Sequence, residues 1–423
     1  MNTGYMSEET RNDVVVIGGG AAGMMAALFC AREGAKTLLL ERNEKLGKKI
    51  YITGKGRCNL TNTAEPEQFL REIPHNGRFM LSPLSHLNNE GTIRLFNTLG
   101  LATKVERGGR VFPVSDKASD VTKTLHRALD AAGVKILLNS HAEKISCSED
   151  LFTIDTADGK RVCASALILA TGGASYPATG STGDGYRFAE AMGHRVYAPV
   201  PSLVGMNMNS AWHERLQGLT LKNVTITAKT GKKVIYHELG EILFTHFGIS
   251  GPLILTLSAH MPDHAEDTAV TLNMKPGMTP EELDKRLIRE LTENSRKQLN
   301  TILNSFFPQR LAGLFPAICG LNPEMFGGDC TRADRKALLN GMTALPLPIT
   351  GPRSLDEAII TRGGVDVKSI TPGTMMSKQV PGLFFAGELI DVDAHTGGFN
   401  LQIAWSTGAL AGQSAAAYVK NGR

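Results

Sequence analysis

The sequence predicts an α/β fold built on a parallel sheet and interrupted by an inserted β-rich and helical domain, and three observations predict it. The β-branched run Val14-Val15-Val16-Ile17 passes through glycines into a small-residue helix, then out to Leu38-Leu39-Leu40-Glu41, which makes a βαβ unit. From about residue 196 to residue 345 the texture changes to short alternating runs and then to helical periodicity. From 346 the first texture returns, with Gly382-Leu383-Phe384-Phe385-Ala386-Gly387-Glu388 as a buried strand and 403–418 as a last helix. The expected boundaries are a disordered leader at 1–10, a first segment at 11–195, an insert at 196–345 (β-rich over 196–275, helical over 279–345), and a second segment at 346–423.

The turn in the βαβ unit, Gly18-Gly19-Gly20-Ala21-Ala22-Gly23, fits a dinucleotide. Gly18 permits the tight turn, Gly20 leaves room for a pyrophosphate to approach the main chain, and Gly23 lets helix and strand pack closely. The unpaired N–H groups at the helix start then face the phosphates. Eighteen residues after Gly23, Glu41 ends the second strand, where an acidic side chain accepts from the hydroxyls of an adenosine ribose.

Composition narrows the rest. Hydrophobic residues at 42% and charged residues at 20% of 423 describe an ordinary soluble globular chain of more than one domain. Forty-five basic against forty-one acidic side chains leave +4, without the dense basic run of a nucleic-acid surface, so no nucleic-acid partner is expected. No stretch approaches the ~18 apolar residues of a membrane span, and the polar first ten residues lack the core of a signal peptide. The six cysteines form no C-x-x-C pair, from which a reduced, cytoplasmic protein without a metal site is expected.

After Glu41 and Arg42, the stretch 47–62 contains Lys48, Lys49, Tyr51, Gly54, Lys55, Gly56, Arg57, Cys58, Asn59 and Leu60. It has the donors to hold a diphosphate and a ring edge. Residues 75–110 are expected to be helical and polar, 118–132 a helix, 134–139 a strand, and 151–156 with 162–169 a hairpin-like pair. The second of these runs into Ala170-Thr171-Gly172-Gly173 beside the first glycine turn. Tyr176 to Tyr186 is expected to wrap a bound ligand, followed by a helix over 187–192. Within the insert, strands are expected at 224–228, 233–236, 241–244 and 269–274, and helices at 279–304, 309–318 and 331–342. The loop Thr245 to Gly251 carries His246, a candidate acid facing substrate, although a packed loop histidine is the commoner case.

The return segment distinguishes a flavin from a nicotinamide, because a flavin is held lengthwise. Glu388 or Asp391 is placed to accept from a ribityl hydroxyl, and Gly397-Gly398 let the last helix approach the pyrimidine end of an isoalloxazine. With these segments in place the sequence resembles the two-dinucleotide-binding-domain flavoproteins, specifically the family that includes aminoacetone oxidase, the YhiN-type flavoproteins and the bile-acid reductase BaiN. The resemblance rests on Gly18 to Gly23, Ile52 to Asn62, Gly109-Arg110-Val111-Phe112-Pro113, Leu243 to Pro252, Ala386-Gly387-Glu388, and Gly397-Gly398-Phe399-Asn400-Leu401-Gln402.

The resemblance implies a Rossmann-like FAD domain split by an insert that caps the flavin. Residues expected at the cofactor are Gly18, Gly20, Ala21, Ala22, Gly23, Glu41, Arg42, Lys49, Gly56, Arg57, Cys58, Asn59, Leu60, Ala142, Ala170, Thr171, Gly172, Gly387, Glu388, Asp391, Gly397, Gly398, Asn400 and Leu401. Tyr51, Tyr176, His246 and His395 are open candidates for the catalytic acid. The implied activity is reduction of a C=C bond conjugated to a ketone, with transient NADH or NADPH and a small-molecule substrate such as a bile-acid enone. Oxidation of a small amine by oxygen and a non-catalytic flavin-binding role are the alternatives, and oligomeric state is left open.

Overall fold

Strand Thr10–Ile17 carries the β-branched run, and Val14, Val15 and Val16 are fully buried. It pairs in parallel with Thr37–Leu40 on one side and with Arg161–Leu169 on the other. Continuous apolar runs belong at such positions, where both faces of a parallel sheet are covered. Lys135–Leu137 adds a parallel edge, and Leu383–Phe385 lies parallel to the end of Arg161–Leu169. The antiparallel strands Leu151–Thr156 and Ala142–Ser148 complete the sheet. The C-terminal return is therefore part of the same sheet as the N-terminal unit.

The computed structural model describes residues 10–261 and 267–422, so the leader expected at 1–10 lies outside the described residues except for Thr10. The chain divides into one unit that runs to Ser202 and resumes at Leu355, and a second unit, Leu203–Ser354. In the first unit the last helix, Phe399–Asn421, lies against helix Ala21–Arg32 at a distance only glycine allows. A Cβ on Gly408 would fall 2.3 Å from the Ala22 carbonyl oxygen, and one on Gly412 would fall 2.3 Å from that of Ala26. Trp405 is buried on the last helix and donates its indole N–H to the Leu60 carbonyl at 2.9 Å.

The second unit has its own core and an antiparallel sheet dominated by Thr220–Thr230 and Lys233–Phe244, which are longer than the runs expected from alternation. Helices Pro280–Glu293 and Arg332–Ala344 begin with capping boxes from Thr279 with Glu282 and from Thr331 with Asp334. The loop expected at 245–251 contains strand Gly248–Ser250, which pairs with Met206 and Asn207, and Pro252–His260 follows as a helix.

Several expected elements differ. Val196–Ser202, expected to begin the insert, pairs antiparallel with Ile360–Val365 in the first unit, while Ile349–Pro352 joins the sheet of the second. Alternation identifies a strand but not its partner. The helix expected at 279–304 ends at Glu293, with Asn294 capping it, and resumes only at Leu299–Ile302. The stretch 75–110 holds two short helices, Leu81–His86 and Asn89–Thr98, and then strand Thr103–Glu106 paired with Arg110–Pro113. The helix expected at 187–192 begins earlier, as Asp184–Ala191.

Candidate cofactor cleft

Three of the four glycines of the first turn have three different surroundings. Gly18 adopts φ 105°, and a Cβ there would meet the Ala170 carbonyl oxygen at 2.4 Å. A Cβ on Gly23 would lie 1.7 Å from the Gly18 carbonyl oxygen, so the helix meets the turn too closely for any side chain. A Cβ on Gly20 would have nothing within 4 Å, because that backbone borders a cleft. Helix Ala21–Arg32 starts on this open side, with no side chain capping its first N–H groups. An anion is the natural complement of such a helix start.

The cleft lies wholly within the first unit, between the first glycine turn, the second-strand end, the 170–172 turn and the C-terminal return. Of the expected cofactor residues, Gly18, Gly20, Ala21, Ala22, Glu41, Arg42, Lys49, Ala142, Ala170, Thr171, Gly172, Gly387, Glu388, Asn400 and Leu401 line it. Glu41 is buried and already heavily engaged. Its carboxylate accepts from the Gly19 N–H at 2.7 Å, the Asn43 N–H at 2.8 Å and the Asn43 amide at 2.6 Å. A carboxylate has about four lone-pair positions. Glu41 therefore has room for one ribose hydroxyl rather than the expected pair.

Two polar clusters border the cleft. Arg42 donates to Asp184 at 2.8 Å and to Thr182 at 2.6 Å, and His141 faces the same Asp184 oxygen at 3.0 Å. Burial pushes the Asp184 carboxyl up, but the hydrogen bonds from Thr182 and His141 and the charge of Arg42 outweigh it and hold the group below the usual range. Lys49 donates to Glu388 at 2.7 Å and to Ser175 at 2.7 Å, while Glu388 also accepts the Thr361 N–H at 2.9 Å. Thr171 contributes a buried hydroxyl without a hydrogen-bond partner. An open glycine backbone, an uncapped helix start, an acidic strand end and an orphaned hydroxyl together fit a dinucleotide cofactor such as FAD.

The remaining expected residues lie outside this lining. Gly23 packs beneath the turn. Gly56, Arg57, Cys58, Asn59 and Leu60 do not line the cleft. Arg57 stacks on Phe112 at 4.1 Å and pairs with Asp116 at 2.6 Å and with Glu106. Cys58 is fully buried, and burial pushes its thiol up to about 12, which makes it an inert core residue. Asp391 accepts from Asn76 at 3.0 Å, and Gly397 and Gly398 sit outside the lining, with a Gly398 Cβ only 2.4 Å from the Thr61 carbonyl oxygen.

The acid candidates do not converge. The Tyr51 hydroxyl accepts from Thr122 at 2.9 Å, and Tyr51 borders a different groove. Tyr176 caps a short turn at φ 52°. His246 belongs to the second unit, where its ring packs edge-on to Phe247. His395 is tied to Glu72 at 2.9 Å. Sequence reasoning missed Asn43, His141, Ser175, Asp184 and Thr361. Only Asp184 had a signal, through its place in the glycine loop 176–186.

This arrangement defines a Rossmann-type flavoprotein. The chain matches the HI0933-like protein Rossmann domain over residues 12–414 and belongs to that family. It is 33% identical over 411 residues to the 3-dehydro-bile acid delta(4,6)-reductase of Clostridium scindens, covering 96% of this chain and 99% of the relative. It is 32% identical over 401 residues to the ribosomal RNA dihydrouridine synthase of Escherichia coli, covering 94% and 96%. The protein of the same name from Haemophilus influenzae is 34% identical over 410 residues, covering 95% and 97%.

Among solved structures, 3-ketosteroid delta1-dehydrogenase from Sterolibacterium denitrificans aligns with TM-score 0.51 at 14% identity, covering 96% of this chain and 100% of that one. At such identity the likeness concerns the fold. The chain is an FAD-dependent oxidoreductase, which sets aside a purely non-catalytic flavin-binding role. Among the described residues no helix is long and apolar enough to cross a membrane.

Proposed function

We propose that this protein reduces a carbon–carbon double bond conjugated to a carbonyl, with FAD held in the 18–23 cleft and recharged by transient NADH or NADPH. One observation carries the reading: relatives of nearly equal identity along nearly the whole chain are named for two reactions that share one bond change. A delta(4,6) bond of a 3-dehydro bile acid is conjugated to a ketone, and the C5–C6 bond of uridine, saturated in dihydrouridine, is conjugated to the C4 carbonyl. Bound and reduced, FAD supplies the hydride for such a bond. The chain's part is to hold the cofactor through the first turn and Glu41, to fix Lys49 and Glu388 beside it, and to deliver the proton that completes the reduction.

The bile-acid-like enone is the first reading of the substrate. A uridine in RNA is the second, favoured by the names of two of the three relatives, and it stands against the expectation of no nucleic-acid partner. Nothing among these relatives favours the small-amine oxidase. The test is anaerobic incubation of the FAD-loaded protein with NADH or NADPH and either a 3-oxo-delta(4,6) bile acid or a ribosomal RNA transcript, read by mass spectrometry. A gain of two hydrogens in either acceptor supports the reading. No gain in either, with turnover of aminoacetone in air, overturns it.

A further inference from the structure

A second constellation lies in the first unit, and its buried member, Asp393, follows Val392 of the cleft wall in the chain. Asp393 is 1% exposed, and both its oxygens are engaged: one accepts the Ser202 hydroxyl at 2.8 Å and the other faces His75 Nδ1 at 2.7 Å. The contact is made through Nδ1, which leaves Nε2 as the ring nitrogen turned away from Asp393. The His75 side chain is 35% exposed, so the dyad joins a buried anchor to an accessible imidazole.

The backbone around it is fixed as well. Asn76 sits in the left-handed region at φ 56° and donates to the Asp391 carbonyl at 2.6 Å and to its carboxylate at 3.0 Å. The segment that carries Asp393 also builds the cleft wall. Val392 lines the cleft, and so does Asn400, whose amide grips both the N–H and the carbonyl of Ala394, at 2.9 and 2.6 Å. A histidine locked by a buried carboxylate on one side and accessible on the other is the arrangement expected of a general acid.

We infer that His75 is the proton donor of the proposed reduction and that Asp393 and Ser202 position it. The inference rests on the reading above, that a conjugated double bond is reduced. The hydride arrives at the β-carbon with its electron pair, supplied by NADH or NADPH through the bound cofactor, and the π pair shifts towards the carbonyl. The α-carbon then forms its new C–H bond with the proton from Nε2 of the doubly protonated ring. That ring keeps its Nδ1 hydrogen on Asp393 and regains the lost proton from water.

The test separates the two half-reactions in the FAD-loaded protein. In His75→Gln, FAD content and the rate of cofactor reduction by NADPH should match the parent, while reoxidation by whichever acceptor the parent reduces should slow by about 100-fold or more. Asp393→Asn should slow that same step by about 10- to 100-fold and leave the other alone. Independently of any acceptor, the His75 ring-proton resonances should move when bound FAD is reduced.

Parent-like reoxidation in His75→Gln overturns the inference while the proposed reduction stands. A parent that reduces neither acceptor overturns the proposed reduction, and the resonance then decides for His75: a shift keeps it at the reacting centre, and none reduces it to a structural tie.

Discussion

Two glycine turns of the first unit lie close in sequence and do opposite things. At Gly18 to Gly23 the turn is tight at both ends and open at Gly20, where a Cβ would meet nothing within 4 Å, and no side chain caps the first N–H groups of the helix that follows. At Gly54 to Leu60 the chain closes on itself. Gly54 and Gly56 turn at φ 55° and 84°, and even Lys55 and Cys58 adopt positive φ, at 59° and 62°. Arg57 is taken up by Phe112, Glu106 and Asp116, Cys58 is buried, and the Leu60 carbonyl receives Trp405. Positive φ alone does not distinguish an open glycine turn from a closed one.

The sharpest break of this contrast is Gly23→Ala. Its Cβ would collide with a backbone carbonyl rather than a flexible side chain, so the variant should lose FAD and about 1–3 kcal/mol or more of stability. Gly20→Ala, with open space around it, should melt like the parent and bind FAD less tightly. Equal melting of the two variants would contradict the geometry.

Glu41→Ala comes next. Losing one charged hydrogen bond to the ribose, worth ~1.5–3 kcal/mol, should weaken FAD in an apoprotein titration by about 10- to 100-fold. Because the Gly19 N–H then loses its acceptor, a stability loss of about 1–3 kcal/mol should accompany it. Unchanged affinity would remove Glu41 from the ribose.

Arg57→Ala should do far less, leaving FAD affinity and melting temperature close to the parent's, since its partners are solvent-accessible carboxylates. A lost flavin in that variant would place the second loop on the cofactor after all. The smallest effect is chemical: at about pH 8 a thiol reagent should label exposed Cys147 and pass over Cys58, whose thiol burial pushes up to about 12. Rapid labelling of Cys58 in the folded protein would mean that the loop opens.

What was legible in the sequence follows from how local each signal is. The βαβ unit declares itself within about thirty residues, because strand, turn, helix and acidic strand end all lie in one stretch. The pairing of Arg57 with Glu106 spans 49 positions, that of Arg42 with Asp184 spans 142, and that of His75 with Asp393 spans 318. No period or motif encodes such partners, so the sequence alone reads 54–60 as a glycine loop with free cations and residue 75 as part of a polar helix. The insert's edges differ from those expected for the same reason, since Val196–Ser202 is assigned to its unit by Ile360–Val365, far along the chain.

The most direct measurement is anaerobic stopped-flow mixing of the NADPH-reduced, FAD-loaded protein with three partners in parallel: a 3-oxo-delta(4,6) bile acid, a uridine-containing ribosomal RNA transcript, and air-saturated buffer. Reduction of a conjugated double bond predicts that the flavin absorbance returns fastest with one of the two unsaturated acceptors and slowly with oxygen. Fast return in air, with no acceleration by either acceptor, would contradict it.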